Sequence, residues 1–152
     1  KNNLNNHLID IGGEIIISGS KKGKPWNIGI QNPLSKIESS TITINNGEYE
    51  FLAIASSGEY RNFIYDNSGN KITHTINPKT LTSINNDVLS VTVISETSAT
   101  YADAFATAFN AMGVENAMKV SNENNISTMI IYRDKNNVNT IYSDKWYDLF
   151  YE

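Results

Sequence analysis

Up to Ser95 the chain alternates apolar and polar positions with a period of two, the mark of half-buried strands. His7–Ile11 and Glu14–Ser18 are short apolar runs separated by Gly12-Gly13, which predicts two strands meeting at a glycine turn or bulge. A basic loop, Lys21–Pro25, precedes Trp26–Ile30, where Trp26, Ile28 and Ile30 alternate with small or polar residues. Ser39–Asn45 repeats the pattern, with Ile42 and Ile44 on one face. Asn46-Gly47 is a hairpin dipeptide, so Tyr49–Ala55 is expected to return as the partner of that strand. Tyr60–Tyr65 and Lys71–Thr75 flank Asn67-Ser68-Gly69-Asn70, a further hairpin signal. Asp87–Ser95 is β-branched and nearly continuous in apolar residues, which predicts a central strand.

After Ser95 the period changes. Thr97-Ser98-Ala99-Thr100 offers N-cap hydroxyls, and Tyr101–Met112 is Ala-rich with Phe105, Phe109 and Met112 at helical spacing. Gly113 is the expected stop. Val114–Val120 reads as a second short helix, Ile126–Tyr132 and Val138–Tyr142 as a last hairpin around Asp134–Asn137, and Trp146, Leu149 and Phe150 as a closing amphipathic turn. With no linker, repeat or low-complexity tract, residues 1–152 are expected to form a single α+β domain, a largely antiparallel sheet with one long buried helix.

Composition narrows the partners. The length of 152 residues suits one domain with a sizeable core. A net charge of −4 gives no basic footprint for nucleic acid and no polybasic patch for anionic lipid. The absence of Cys removes disulfides and thiolate metal sites. No apolar run reaches the roughly 20 residues of a membrane helix. The chain opens Lys1-Asn2-Asn3 with neither initiator Met nor signal peptide, and is expected to be a processed, clipped or engineered piece. The many Asn residues fall mostly between apolar runs and read as compositional bias rather than chemistry.

Several segments carry candidate chemistry. In order they are Asp10-Ile11-Gly12-Gly13, then Trp26-Asn27-Ile28-Gly29-Ile30 running on to Pro33, and Ser56-Ser57-Gly58-Glu59-Tyr60. His74-Thr75-Ile76-Asn77-Pro78-Lys79-Thr80, Ser90-Val91-Thr92-Val93 and Ala102-Asp103-Ala104-Phe105-Ala106-Thr107-Ala108 follow. From the residues alone, Asp103 and Thr107 are four apart on a helix and share a face, near the positive end of its dipole. They suit either a metal or an exposed cap carboxylate beside a core-edge hydroxyl. His74 is either an ordinary strand-end residue, a hydrogen-bond donor to a phosphate, or a general base. Ser57-Gly58 is either a turn or a phosphate contact that Gly lets the backbone approach. Trp26 and Tyr60 are aromatics that either stack on a ring or fill the core. His7 reads as structural.

Taken in register, these segments resemble the C-terminal half of the ApbE family of flavin transferases over nearly the whole chain. There the corresponding patterns are D-x-G-G, W-x-[IV]-G-I-x-x-P, [TS]-S-G-x-Y, H-x-[IL]-D-P-[RK]-T-G, S-V-T-V and A-D-A-x-A-T-A. The resemblance implies a T-fold-like half-domain. It also implies an Mg²⁺-dependent enzyme that splits FAD and moves FMN to a Thr or Ser hydroxyl of a target protein, releasing AMP. Some members instead hydrolyse FAD to FMN and AMP. By resemblance His74 is the catalytic residue, His74, Ser57 and Gly58 contact the cofactor, and Asp103 and Thr107 bind Mg²⁺. The implied location is extracytoplasmic, periplasmic or at the cell surface, although no lipobox Cys is present to anchor the chain.

Four positions depart from the pattern. Asn77 stands for the usual Asp before Pro78, which is expected to loosen the turn or remove a charge, and Leu81 stands where Gly is common. Glu14 replaces a frequent Asn, and Lys79 replaces Arg at the loss of bidentate geometry. The family's N-terminal half has no counterpart here. Partnership with that half, or homodimerisation through the face it would cover, is therefore expected, and a non-catalytic FAD-binding or structural half-module is the alternative to a working transferase.

Overall fold

The computed structural model describes residues 4–35, 40–47, 49–58, 63–69 and 71–150. Its strands are β1 (His7–Ile11), β2 (Glu14–Ser18), β3 (Asn27–Gln31), β4 (Ser40–Asn45), β5 (Phe51–Ser57), β6 (Phe63–Tyr65), β7 (Lys71–Thr73), β8 (Ile76–Asn77), β9 (Thr82–Ser83) and β10 (Val88–Ser95). Helices α1 (Ala99–Met112) and α2 (Val114–Glu123) follow, then β11 (Ser127–Asp134), β12 (Asn137–Tyr142) and α3 (Asp144–Phe150). A six-stranded antiparallel sheet runs β1-β2-β5-β10-β11-β12, and β3–β4, β6–β7 and β8–β9 form two-stranded ribbons. The α+β class and the central place of the strand ending at Ser95 are as expected.

The Asn46-Gly47 hairpin does not form. β4 pairs back with β3, matching Ile28 to Ile44 and Ile30 to Ile42, whereas β5 lies between β2 and β10. The reason is Asn46, whose side chain is buried rather than presented in a turn. Its Oδ1 accepts from the Trp26 N–H at 2.7 Å, and its Nδ2 donates to the Gly19 and Tyr49 carbonyls at 2.9 and 2.8 Å. This one amide ties the β3–β4 ribbon to the chain leaving β2 and entering β5. At this position Asn is a structural joint rather than compositional bias.

The sheet separates two cores. On one face the small residues Ala53 and Ala55 of β5, with Val91 and Val93 of β10, meet Ala102, Ala106 and Phe109 of α1 and Ala117 of α2. Alanines on both sides let helix and sheet approach closely, and the dense contact gains dispersion energy. On the other face Leu52, Ile54, Ile94, Met129 and Ile131 pack on Ile28, Ile30 and Ile44 of the ribbon and on Trp146 and Leu149 of α3. Burying each such aliphatic side chain contributes about 1.5–3 kcal/mol.

The layers are also joined by polar groups. The Ile126 carbonyl accepts from Ser121 of α2 at 2.7 Å and from Ser143, just before α3, at 2.8 Å. Ser121 Oγ and Thr128 Oγ1 also share a hydrogen bond at 2.7 Å, and the Thr128 N–H donates to Ser143 Oγ at 2.9 Å. Ser121, Thr128 and Ser143 are fully buried, so these bonds satisfy groups that water cannot reach.

Candidate functional site

Helix α1 begins and ends where its sequence says it should. Ser98 is extended and its hydroxyl accepts from the Tyr101 N–H at 3.2 Å, satisfying an otherwise orphaned donor. Gly113 stops the helix at φ +78°, where an L side chain is strained, and it also opens α2.

The face of α1 turned from the sheet carries Ala104, Thr107, Ala108 and Ala111. These residues, with Met112 at the end of α1 and Asn116 of α2, form one wall of a cleft of about 680 Å³. The other wall is the segment Thr75–Lys79. Short side chains on the helix leave this space open.

The second wall is held by a compact turn system. Buried Thr73 is fixed by Ser83, whose Oγ accepts from the Thr73 N–H at 2.6 Å, and Thr73 Oγ1 donates to the Ile84 carbonyl at 3.0 Å. β8 pairs with β9, matching Ile76 to Ser83 and Asn77 to Thr82. Between them Asn77 Oδ1 accepts from the Lys79 N–H at 2.9 Å, and the Asn77 carbonyl accepts from the Leu81 N–H at 2.8 Å. At Asn77 a neutral amide closes the turn with a hydrogen bond that a carboxylate could also accept. Leu81 occupies the left-handed conformation that Gly would take, at φ +56°. The turn therefore holds a strained residue.

Only some of the residues singled out in the sequence meet at this cleft. Thr107 lines it. Asp103 lies one helical turn earlier on the same side of α1, exposed and outside the lining. His74 is exposed and directly precedes the Thr75–Lys79 wall. Ser57 is half-buried at the end of β5, also outside the lining, with its hydroxyl 3.5 Å from Nδ2 of the fully buried Asn110 on the inner face of α1. Gly58 follows it, half-buried. Trp26 packs with the ribbon core on the far face of the sheet and donates Nε1–H to the Ser18 carbonyl at 3.0 Å, so it is structural. His7 places Nδ1 3.0 Å from the Leu4 carbonyl, a local contact. Tyr60 lies outside the described residues.

Met112 and Asn116 line the cleft although they lie outside the candidate segments of the sequence. The small-residue spacing of Ala104, Ala108 and Ala111 was the available signal for that wall. The reading from sequence missed Asn110, whose carbonyl accepts from Asn86 Nδ2 at 2.8 Å and so links α1 to the chain entering β10.

Asp103 and Thr107 supply hard oxygen donors, which fits the chemistry of Mg²⁺. They would fill two of about six coordination positions. Among the described residues no cluster of three or more His, Cys, Asp or Glu could hold a metal. The pair fits as part of a site that phosphate oxygens, water or other polypeptide would complete. Among the described residues no helix is long and apolar enough to cross a membrane.

The sequence model of the ApbE family matches residues 1–130. The FAD:protein FMN transferase of Vibrio cholerae is 39% identical over 131 residues, covering 86% of this chain and 38% of that protein. The enzyme of the same name from Haemophilus influenzae is 36% identical over 138 residues, covering 88% of this chain and 38% of that protein. Among solved structures, the flavin transferase ApbE from Vibrio cholerae superposes with a TM-score of 0.77 at 33% identity, covering 96% of this chain and 45% of that one. The apo form of the Pseudomonas stutzeri flavinyl transferase ApbE also gives 0.77, at 28% identity, covering 94% of this chain and 43% of that one.

With the fold and the ordered motifs in agreement, the chain belongs to the ApbE family. It spans less than half the length of these relatives.

Proposed function

We propose that this chain is the C-terminal portion of an Mg²⁺-dependent FAD:protein FMN transferase that acts outside the cytoplasm. The observation that carries the proposal is the cleft in which Thr107 of α1 faces the wall that begins directly after His74. In this reading the hydroxyl oxygen of an acceptor Thr or Ser attacks the FMN phosphorus. The bond from that phosphorus to the bridging oxygen breaks, and AMP leaves with the oxygen. His74 takes the hydroxyl proton as general base. Ser57 and Gly58 contact the cofactor from the end of β5, while Asp103 and Thr107 hold Mg²⁺, which when bound neutralises pyrophosphate charge.

The two-donor metal set supports a second reading, a half-module that binds FAD without turning it over. Both readings call for a covering partner, either the remaining polypeptide of such a transferase or a second copy. Exposed Leu8, Ile9 and Ile11 on β1 support that requirement.

Calorimetric titration of FAD, with Mg²⁺ and with chelator, tests the site. Mg²⁺-dependent binding that Asp103→Ala abolishes is the expected result, and FAD binding indifferent to both would remove the metal assignment. Release of AMP separates enzyme from module. Flavin that stays on an acceptor protein through denaturation separates transfer from hydrolysis.

A further inference from the structure

Among the described residues lining the cleft, Lys79 is the only ionised side chain; Thr75, Asn77, Thr107 and Asn116 are neutral. No ion pair engages Lys79 among the described residues. Its backbone is fixed from both sides: Pro78 presets the preceding φ, and the Lys79 N–H is bonded to Asn77 Oδ1 at 2.9 Å. The choice of Asn at position 77 bears on the charge as well as the turn. An Asp would accept the same hydrogen bond but set a carboxylate two residues from the ammonium, inside the same wall. Asn closes the turn without adding a negative charge beside the ammonium.

We propose that Lys79 is a positioning residue for the pyrophosphate of a dinucleotide bound in this cleft, and that neutral Asn77 keeps its charge available. The inference rests on the flavin reading above and adds to it the group that meets the phosphate charge from the loop wall, opposite Thr107. A lysine ammonium is a compact point charge suited to a phosphate oxygen. At an exposed site its hydrogen bond to an anion lies at the weaker end of the charge-assisted range, equivalent to about a tenfold change in affinity.

The test titrates FAD, inorganic pyrophosphate and riboflavin into the wild-type chain, Lys79→Gln, Lys79→Arg and Asn77→Asp, after thermal melts have established that each variant is folded. The expected result is an approximately tenfold loss for FAD and pyrophosphate in Lys79→Gln, a smaller loss in Asn77→Asp, recovery in Lys79→Arg, and unchanged riboflavin binding. The salt dependence of FAD binding should also flatten in Lys79→Gln. Wild-type FAD binding that Lys79→Gln leaves intact would overturn this inference and spare the flavin reading. Pyrophosphate binding through Lys79 without any FAD binding would do the reverse. Equal losses for riboflavin and FAD would make Lys79 a ring or scaffold contact and overturn the positioning role, and binding of neither phosphate ligand would overturn both.

Discussion

The two faces of α1 use the same residue to opposite ends. On the inner face Ala102 and Ala106 are almost completely buried, and their small size lets the helix sit close on Ala53 and Ala55 of β5. On the outer face Ala104, Ala108 and Ala111 line the cleft, and their small size leaves room for a ligand. An Ala-rich helix is thus not simply a good helix former. Where its neighbour is near, alanine means contact; where its neighbour is a loop, alanine means space. A substitution that enlarges either face should therefore have very different consequences.

Phe109→Ala should break the inner face most severely. Phe109 is completely buried between sheet and helices, so removing it should cost about 3–5 kcal/mol by denaturant unfolding. Ala106→Leu is next. Overfilling the close helix–sheet contact should cost about 1–3 kcal/mol and lower the melting temperature, and a neutral result would mean that α1 can lift off β5.

Leu81→Gly sharpens the contrast on the opposite wall. Relieving a left-handed Leu should stabilise by about 0.5–1 kcal/mol, because the strain removed exceeds the entropy that Gly adds to the unfolded chain. Ala108→Leu, on the outer face, should change stability by less than about 0.5 kcal/mol, as surface substitutions usually do. It should nonetheless abolish FAD binding in the calorimeter by filling the cleft; unimpaired binding would place the ligand elsewhere.

Much of this architecture could be read from the chain, because it depends on local signals. Ser98, Gly113 and the Gly12-Gly13 hairpin each act on backbone conformation within a few residues, so the termini of α1 and the β1–β2 turn follow directly. The continuous apolar run ending at Ser95 likewise announced a strand covered on both sides. Pairing was harder. Alternation tells which face of a strand is buried but not which strand lies beside it, so β4 and β5 read as partners although β4 belongs to the ribbon. What redirected the chain was the buried side chain of Asn46, and nothing local distinguishes it from the exposed Asn residues around it.

The site was legible in the same uneven way. Asp103 and Thr107 sit on one side of α1 because helical spacing requires it, and Thr107 reaches the cleft. Ser57 was also singled out, and its hydroxyl lies 3.5 Å from Nδ2 of Asn110 on α1, a relation between residues far apart in sequence. Asn116 became a cleft residue through the junction at Gly113, which sets the start of α2 beside the end of α1.

The hydrogen bonds that converge on the Ile126 carbonyl have a consequence for how the molecule opens. Because one acceptor holds both Ser121 of α2 and Ser143 at the threshold of α3, neither helix can detach without disturbing the attachment of the other across the sheet. The C-terminal third should behave as one cooperative unit, with amides in α2 and α3 exchanging with solvent through a shared opening event rather than by separate fraying.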